Sequence, residues 1–188
     1  MQMAAELPPL AFVEAVTPEL IEKIRTMMLA DEMWQSLARL EPPGRGKMLL
    51  LFTSKKYAGH LVRRTDTDED IAFVLLDIGR LAGRGEVEVD VGIPDARYRG
   101  MGLSKLALAM AFDAWLRTGR CARMWGWIDA SNAASLAMVR ALEIPEMGRS
   151  QQNGRTAKGL VDTVDVAITK DEWERARLKL GLAKILGP

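Results

Sequence analysis

Glu86 to Ile93 alternates without a break, with Val87, Val89, Val91 and Ile93 on one side and Glu86, Glu88 and Asp90 on the other, the period of a strand with one buried face. Leu160 to Thr169 repeats the pattern, setting Val164, Val166 and Ile168 against Asp165, Ala167 and Thr169. Leu103 to Leu116 is apolar on nearly every side, interrupted by Ser104, Lys105 and Asp113, as in a helix packed deeply on a sheet. Leu10 to Val16 predicts a first strand. Thr17-Pro18-Glu19 then sets a capping hydroxyl before a proline at the first helical position, and the helix to about Leu29 carries Ile21, Ile24 and Met28 on one face. A second helical piece, about Asp31 to Leu40, holds Trp34, Leu37 and Leu40 and ends at Glu41-Pro42-Pro43-Gly44, with a loop to Lys47. Met48 to Thr53 and Tyr57 to Arg64 read as a hairpin around Ser54-Lys55-Lys56. Ile71 to Ile78 is a strand whose apolar residues run together. Arg123 to Ile128 is a strand with Trp125 and Trp127 on one face. Asp129-Ala130-Ser131-Asn132 supplies turn and capping residues for a helix to Leu142, and Asp171 caps a last helix to about Leu180.

Strands before and after a long central helix predict an α/β (α+β) domain, with the central strand-helix-strand unit parallel and right-handed. A length of 188 residues suits a single domain, 1–188, with a core that requires no disulfide. The lone Cys121 fits a reducing cytoplasm. Met1 to Glu6 lacks a basic-then-apolar leader, and the apolar runs, such as Met48 to Phe52, are too short to span a bilayer; a cytoplasmic protein without membrane attachment is expected. Lysine plus arginine (26) balances aspartate plus glutamate (25), so no overall field recruits nucleic acid. Asp66-Thr67-Asp68-Glu69-Asp70 resembles the start of a calcium loop, but Ile71 and Asp77 stand at its sixth and twelfth positions. A solvated turn, and no metal, is expected there.

Arg97-Tyr98-Arg99-Gly100-Met101-Gly102 joins the alternating strand to the apolar helix. Two glycines let the backbone approach a ligand closely and take positive φ, and the following amides open a helix, where unpaired N–H groups and the dipole favour an anion. Other phosphate loops do not fit. Lys105 stands where a dinucleotide fingerprint needs its third glycine. Gly46-Lys47 is followed by Met48, with Glu41 in place of the first Walker glycine.

With these motifs, Glu86 to Trp173 resembles the GNAT superfamily of acyl-CoA N-acyltransferases. Arg97, Gly100 and Gly102 meet its Gln/Arg-x-x-Gly-x-Gly/Ala signature, Asn132 and Ser135 its Asn-x-x-Ala/Ser element, and Val161 to Trp173 its closing strand. The likeness extends loosely to the branch that modifies ribosomal-protein N-termini. It implies a mixed central sheet with flanking helices, an acyl-CoA-binding core at about 86–145, and acetyl-CoA as cosubstrate. The pyrophosphate would rest on main-chain amides from Tyr98 through Arg99, Gly100, Met101 and Gly102 to Leu103, extending to Ser104. The pantetheine arm would pair like a strand with Val91, Gly92 and Ile93, and Asn132 would hydrogen-bond it. A thioester is already activated, so the protein has to hold an amine, polarise the carbonyl with a main-chain N–H and take a proton. Glu88 is the first candidate base, followed by Glu86, Asp90 and Asp129.

Departures from the family pattern fall on the chemistry. Val139 stands where relatives place a tyrosine that protonates the leaving thiolate, and Trp127 where some place a glutamate base. Glu143-Ile144 replaces a Gly-Phe pair, and Ile71 to Arg84 is longer than the usual connection. The expected activity is transfer of an acetyl group to a primary amine of a small molecule or a protein; the alternative is a GNAT-like module that binds coenzyme A or a macromolecule with little or no turnover. Cys121, His60, Trp34, Trp125 and Trp173 read as structural, and Trp127 as a wall of an acceptor pocket. The amphipathic tail from Trp173 to Leu182 suits either this domain's own core or a homodimer partner.

Overall fold

The alternating segments form one seven-stranded sheet. In the computed structural model, which describes residues 8–30, 44–79, 82–156 and 159–187, its strands are β1 (Leu10–Glu14), β2 (Tyr57–Arg64), β3 (Glu69–Asp77), β4 (Glu86–Gly92), β5 (Arg123–Asp129), β6 (Glu146–Thr156) and β7 (Gly159–Thr169). They lie in the order β1-β2-β3-β4-β5-β7-β6. Every neighbouring pair is antiparallel except β4 and β5. A parallel pair requires a crossover, and the apolar run supplies it as α3 (Leu103–Phe112), whose last turn widens into a π-turn over Asp113–Arg117.

Helices cover both faces of the sheet. On one, α1 (Pro18–Met28) and α2 (Arg45–Thr53) press Ile21, Ile24, Met28 and Met48 onto Leu61, Phe73 and Leu75. On the other, α3, α4 (Ala133–Ala141) and α5 (Lys170–Lys179) bury Leu103, Phe112, Val139 and Trp173 against Val74, Val87, Met124 and Val166. Cover on both faces explains the unbroken apolar run of β3, since side chains pointing either way meet a core. β4 is interior as well, although its carboxylate row would suit an edge strand; Glu88 is only 8% exposed.

Four expectations need correction or placement. Met48 to Thr53 is not a strand. It lies in α2, because a short apolar run has no period that separates helix from strand. α2 ends with Lys55 at φ 56° and with the amides of Lys55 and Lys56 donating to the carbonyls of Phe52 and Leu51, a left-handed helix stop in place of a hairpin turn. The hairpin joins β2 to β3 instead, through the acidic turn. There the wholly buried Asp70 carboxylate accepts from Arg63 Nε at 2.7 Å and pairs with Lys23. β6 is a further strand on a segment without alternation or apolar content; it forms because β7 offers an edge, with register shifts at Glu146/Gly148 and Ser150/Gly154. The cap of α5 is Thr169, in a capping box with Glu172, rather than Asp171. The expected helix from Asp31 to Leu40, with Trp34, lies outside the described residues.

His60 is buried in β2. Its ring stacks on Phe12 with centroids 4.1 Å apart, and its Nε2 accepts from Trp115 Nε1 at 3.0 Å. The proton therefore sits on Nδ1, which is buried without a hydrogen-bond partner. Burial pushes its pKa down from 6.5 to about 4, the Glu14 carboxylate opposing and the Arg120 guanidinium assisting. A histidine held neutral contributes stability above its unfolded pKa, and that contribution drains away as pH falls from about 6.5 towards 4. The stability advantage of wild type over His60→Leu should therefore shrink by about 2 kcal/mol between pH 7 and pH 5. Urea unfolding at the two pH values measures this; parallel pH profiles would contradict it.

Candidate active site

β4 and β5 begin side by side and then part. Their register runs Glu86↔Arg123, Val87↔Met124 and Glu88↔Trp125 and stops. β4 nevertheless stays paired with β3 as far as Phe73↔Gly92, and β5 with β7 as far as Asp129↔Thr163. Each strand keeps its outer neighbour while the inner edges open into a wedge. At its apex a Cβ on Gly126 would lie 3.2 Å from the Val89 carbonyl oxygen, so that carbonyl points towards β5. Backbone direction alternates along a strand, which aims the N–H and C=O of Val91 the same way, into the gap where no strand lies. Gly92 is turned to β3, and Ile93 is buried at the wedge's rim.

The glycine loop stands at the open end of this wedge. Asp95 caps a short 3-10 turn over Ala96–Tyr98, accepting from the Arg97 amide at 2.8 Å. Arg97, through its guanidinium and its own amide, holds the Asp95 carboxyl below its usual range. Gly100 and Gly102 take φ of 76° and 78° with open space where a Cβ would be. Gly102 is the N-cap of α3 and offers no side-chain cap. The amides of Tyr98 and Arg99 are consumed internally, by the carbonyls of Asp95 and Ala96. Among the described residues, none accepts from the amides of Gly100, Met101, Gly102, Leu103 or Ser104. Five successive amides without an internal acceptor at a helix start form a cradle of the kind that suits an anion.

Arginine side chains brace the cradle. Arg99 donates to the carbonyls of Ile93 (3.0 Å) and Pro94 (2.6 Å), and Arg97 reaches Asp95 and Glu69. The Tyr98 hydroxyl donates to Glu69 at 2.5 Å. Glu69, at the start of β3, is a support that sequence spacing gave no reason to select, because the tie spans 29 positions.

A cavity of about 110 Å³ fills the wedge, with Asp90, Trp127, Asp129, Asn132, Ser135 and Val139 among its lining. Of the candidate bases, Asp90 and Asp129 line it. Glu88 stands at the last paired register, and Glu86 lies behind it with its carboxylate 3.6 Å from Arg123. Asn132 Oδ1 caps α4 by accepting from the Ser135 amide at 3.0 Å, a bond that does not use its NH₂ group. Trp127 lies against β6: a Cβ on Gly154 would meet its ring at 2.6 Å. Thr156, from the strand that sequence did not reveal, completes that wall. Burial pushes the Cys121 thiol up to about 11, away from nucleophilic use. Among the described residues no group of three or more His, Cys, Asp or Glu side chains could hold a metal, and no helix is long and apolar enough to cross a membrane.

This architecture recurs in solved structures. The ribosomal-protein-S5-alanine acetyltransferase from Vibrio fischeri superposes with a TM-score of 0.72 at 13% identity, over 90% of this chain and 97% of that one. The spermidine N-acetyltransferase from Vibrio cholerae in complex with CoA and spermine gives 0.74 at 12% identity, over 88% and 98%. The ribosomal L7/L12 alpha-N-protein acetyltransferase in complex with coenzyme A gives 0.69 at 16% identity, over 85% and 93%. The chain has the GNAT fold. No family model matches the sequence, and no curated protein does. Likeness to these acetyltransferases is thus carried by the fold of the chain.

Gly154→Ala should force Trp127 and Thr163 apart, since the new methyl would lie 2.6 Å from each. A loss of about 1–3 kcal/mol in denaturant unfolding is expected from such overpacking; unchanged stability would place Trp127 elsewhere.

Proposed function

We propose that the chain is an acyl-CoA-dependent N-acyltransferase that moves an acetyl group from acetyl-CoA to a primary amine. One observation carries the reading: an unfilled amide cradle at Gly100 to Ser104 opens directly onto a wedge whose inner edge presents unpaired main-chain groups at Val91. A diphosphate suits the first and an extended amide-bearing arm the second. The residues that would hold the coenzyme are Val91, Gly92 and Ile93 along the arm, Gly100 to Ser104 at the phosphates with Arg97, Tyr98 and Arg99 shaping their loop, and Asn132 and Ser135 on the facing helix.

The bound thioester supplies an activated acyl group. The protein's share is then positioning, polarisation and one proton. Val91 N–H would donate to the carbonyl oxygen, where developing negative charge strengthens the bond. Asp90, on the wedge wall, is the proton acceptor we favour over Glu88, which stands before the strands part; Asp129 faces the same space from the end of β5. Val139 is buried and has no proton to give, and the Tyr98 hydroxyl is committed to Glu69. The leaving thiolate, with a solution pKa of about 8.5, would take its proton from water. The acceptor would reach the site over the Trp125 and Trp127 face. The neighbours' named acceptors, spermidine in one and a ribosomal protein's α-amine in others, support a primary amine as the acceptor.

Saturating acetyl-CoA, at about 100 times Kd, should stabilise the protein by about 2.7 kcal/mol. Gly100→Glu, which puts a carboxylate into the cradle, should abolish that gain while the protein still folds. A full gain in the variant would contradict the placement. Thiol release with a panel of amines reports turnover, and Asp90→Asn should lower it about 10²- to 10⁴-fold with coenzyme binding intact. Equal rates would remove Asp90 and return attention to Glu88; no release with any amine would favour a silent coenzyme-binding module.

A further inference from the structure

The sheet face that carries Glu86, Glu88 and Asp90 is covered over only part of its width. Leu75, buried beneath α1 and α2, is the register partner of Asp90, so these carboxylates leave the sheet on the side of those two helices. Yet the core under α1 and α2 takes no residue from β4, β5, β6 or β7 among the described residues. Register sets Trp125 beside Glu88, Trp127 beside Asp165 and Asp129 beside Thr163 on this same side. Two indoles and the carboxylates of Glu88, Asp90, Asp129 and Asp165 therefore stand on it, while Arg123, the cation these strands place there, lies 3.6 Å from Glu86. Acyl transfer as derived above leaves Asp165 without a task. Its neighbour on β5 is Trp127, and its neighbour on β6 is Gly148, where a Cβ would meet nothing within 4 Å. The half-buried carboxylate thus has an indole on one side and open space on the other, and it makes no ion pair or hydrogen bond with a described residue. Next along this face of β7, the Thr163 hydroxyl is buried without a hydrogen-bond partner. Such polar groups are costly unless something engages them.

We propose that Asp165 receives a second ammonium group of the acceptor, and that the acceptor is a small polyamine. The inference rests on the reading of the wedge as the site of acyl transfer. The reacting nitrogen stands at the wedge, between Asp90 and Asp129, and Asp165 lies one strand beyond β5. Strands about 4.8 Å apart separate the two positions by on the order of 10 Å, the reach of an alkyl chain with an amine at each end. Its methylenes would lie on the indoles of Trp125 and Trp127, whose faces also attract a cation. Asp129 has one oxygen engaged, since its Oδ1 accepts from the Ser131 amide at 2.8 Å and hydroxyl at 2.7 Å; Asp165 offers both of its own. A peptide acceptor would call for main-chain partners, but β5 is paired with β7 along its whole length, β7 is paired with β6 on its other side, and the free edge of β4 is where the coenzyme arm is placed. Side-chain charge and ring faces remain, and these suit a flexible polycation.

Thiol release with diaminooctane and with octylamine, which share a chain and differ in the second ammonium, tests the assignment. Wild type should favour the diamine by about tenfold to a hundredfold in kcat/KM, as for one charge-assisted contact. Asp165→Asn should remove that advantage through KM, leaving kcat and the monoamine unchanged. Asp165→Lys should turn the preference towards aminooctanoate, whose far end is an anion. Asp171→Asn, exposed on α5 and off this face, should change nothing. Equal use of diamine and monoamine by wild type, or an advantage that survives in Asp165→Asn, would overturn the assignment. So would a preference for a peptide α-amine over every diamine. If no amine releases thiol, the transferase reading fails by itself, and titration calorimetry of diaminooctane into the protein saturated with coenzyme A then decides. Binding that Asp165→Asn weakens by the same factor upholds the subsite; no binding to wild type overturns it.

Discussion

The separation of β4 from β5 after Glu88↔Trp125 is the constraint on which the rest of the site depends. Two parallel strands cannot be joined by a tight turn, so a helix must cross between them, and its N-terminus must start where β4 ends. The same end is where the two strands diverge, because each remains fully hydrogen-bonded to its outer neighbour and sheet twist separates the inner edges. Chain topology therefore brings an anion-binding helix start and a slot of unpaired peptide groups to one place, as at the carboxyl ends of strands in other α/β sheets.

Energetically the wedge is sustained from outside itself. Breaking a ladder in a sheet's centre leaves peptide groups without partners, which is costly unless water or a ligand serves them. Apolar packing on the α3 side, from Phe112, Val139 and Val166, holds the strands in this parted arrangement. The loop is pinned separately, by Arg99 on the carbonyls of Ile93 and Pro94 and by Tyr98 on Glu69. Gly100 and Gly102 can then hold positive φ while their amides stay outward.

Much of this was legible in the sequence, and the reasons are particular. β4, β7 and α3 carry clean period-two or all-apolar patterns because each has a definite burial, and the glycine pair is conspicuous because glycine takes such positive φ at the least steric cost. The α2 segment misread as a strand, since Met48 to Phe52 is uniformly apolar and only its left-handed stop at Lys55, a lysine in place of the usual glycine, marks it as a helix. β6 has no signal of its own; its pairing is imposed by β7. For the site, Glu88 and Asp90 share one face of β4, so the alternation of the sequence does not tell their positions apart. Their places differ only through the register at which β5 departs, with Glu88 at the last paired position and Asp90 beyond it, a property of three strands together. The places of Glu69 and Thr156 are likewise products of tertiary placement.

A crystal structure with acetyl-CoA bound tests the central claim most directly. The account requires diphosphate oxygens on the amides between Gly100 and Ser104 and the pantetheine arm lying along Val91 between the parted strands. Coenzyme bound elsewhere, or β5 closed onto β4 with side chains packed into the gap, would contradict it.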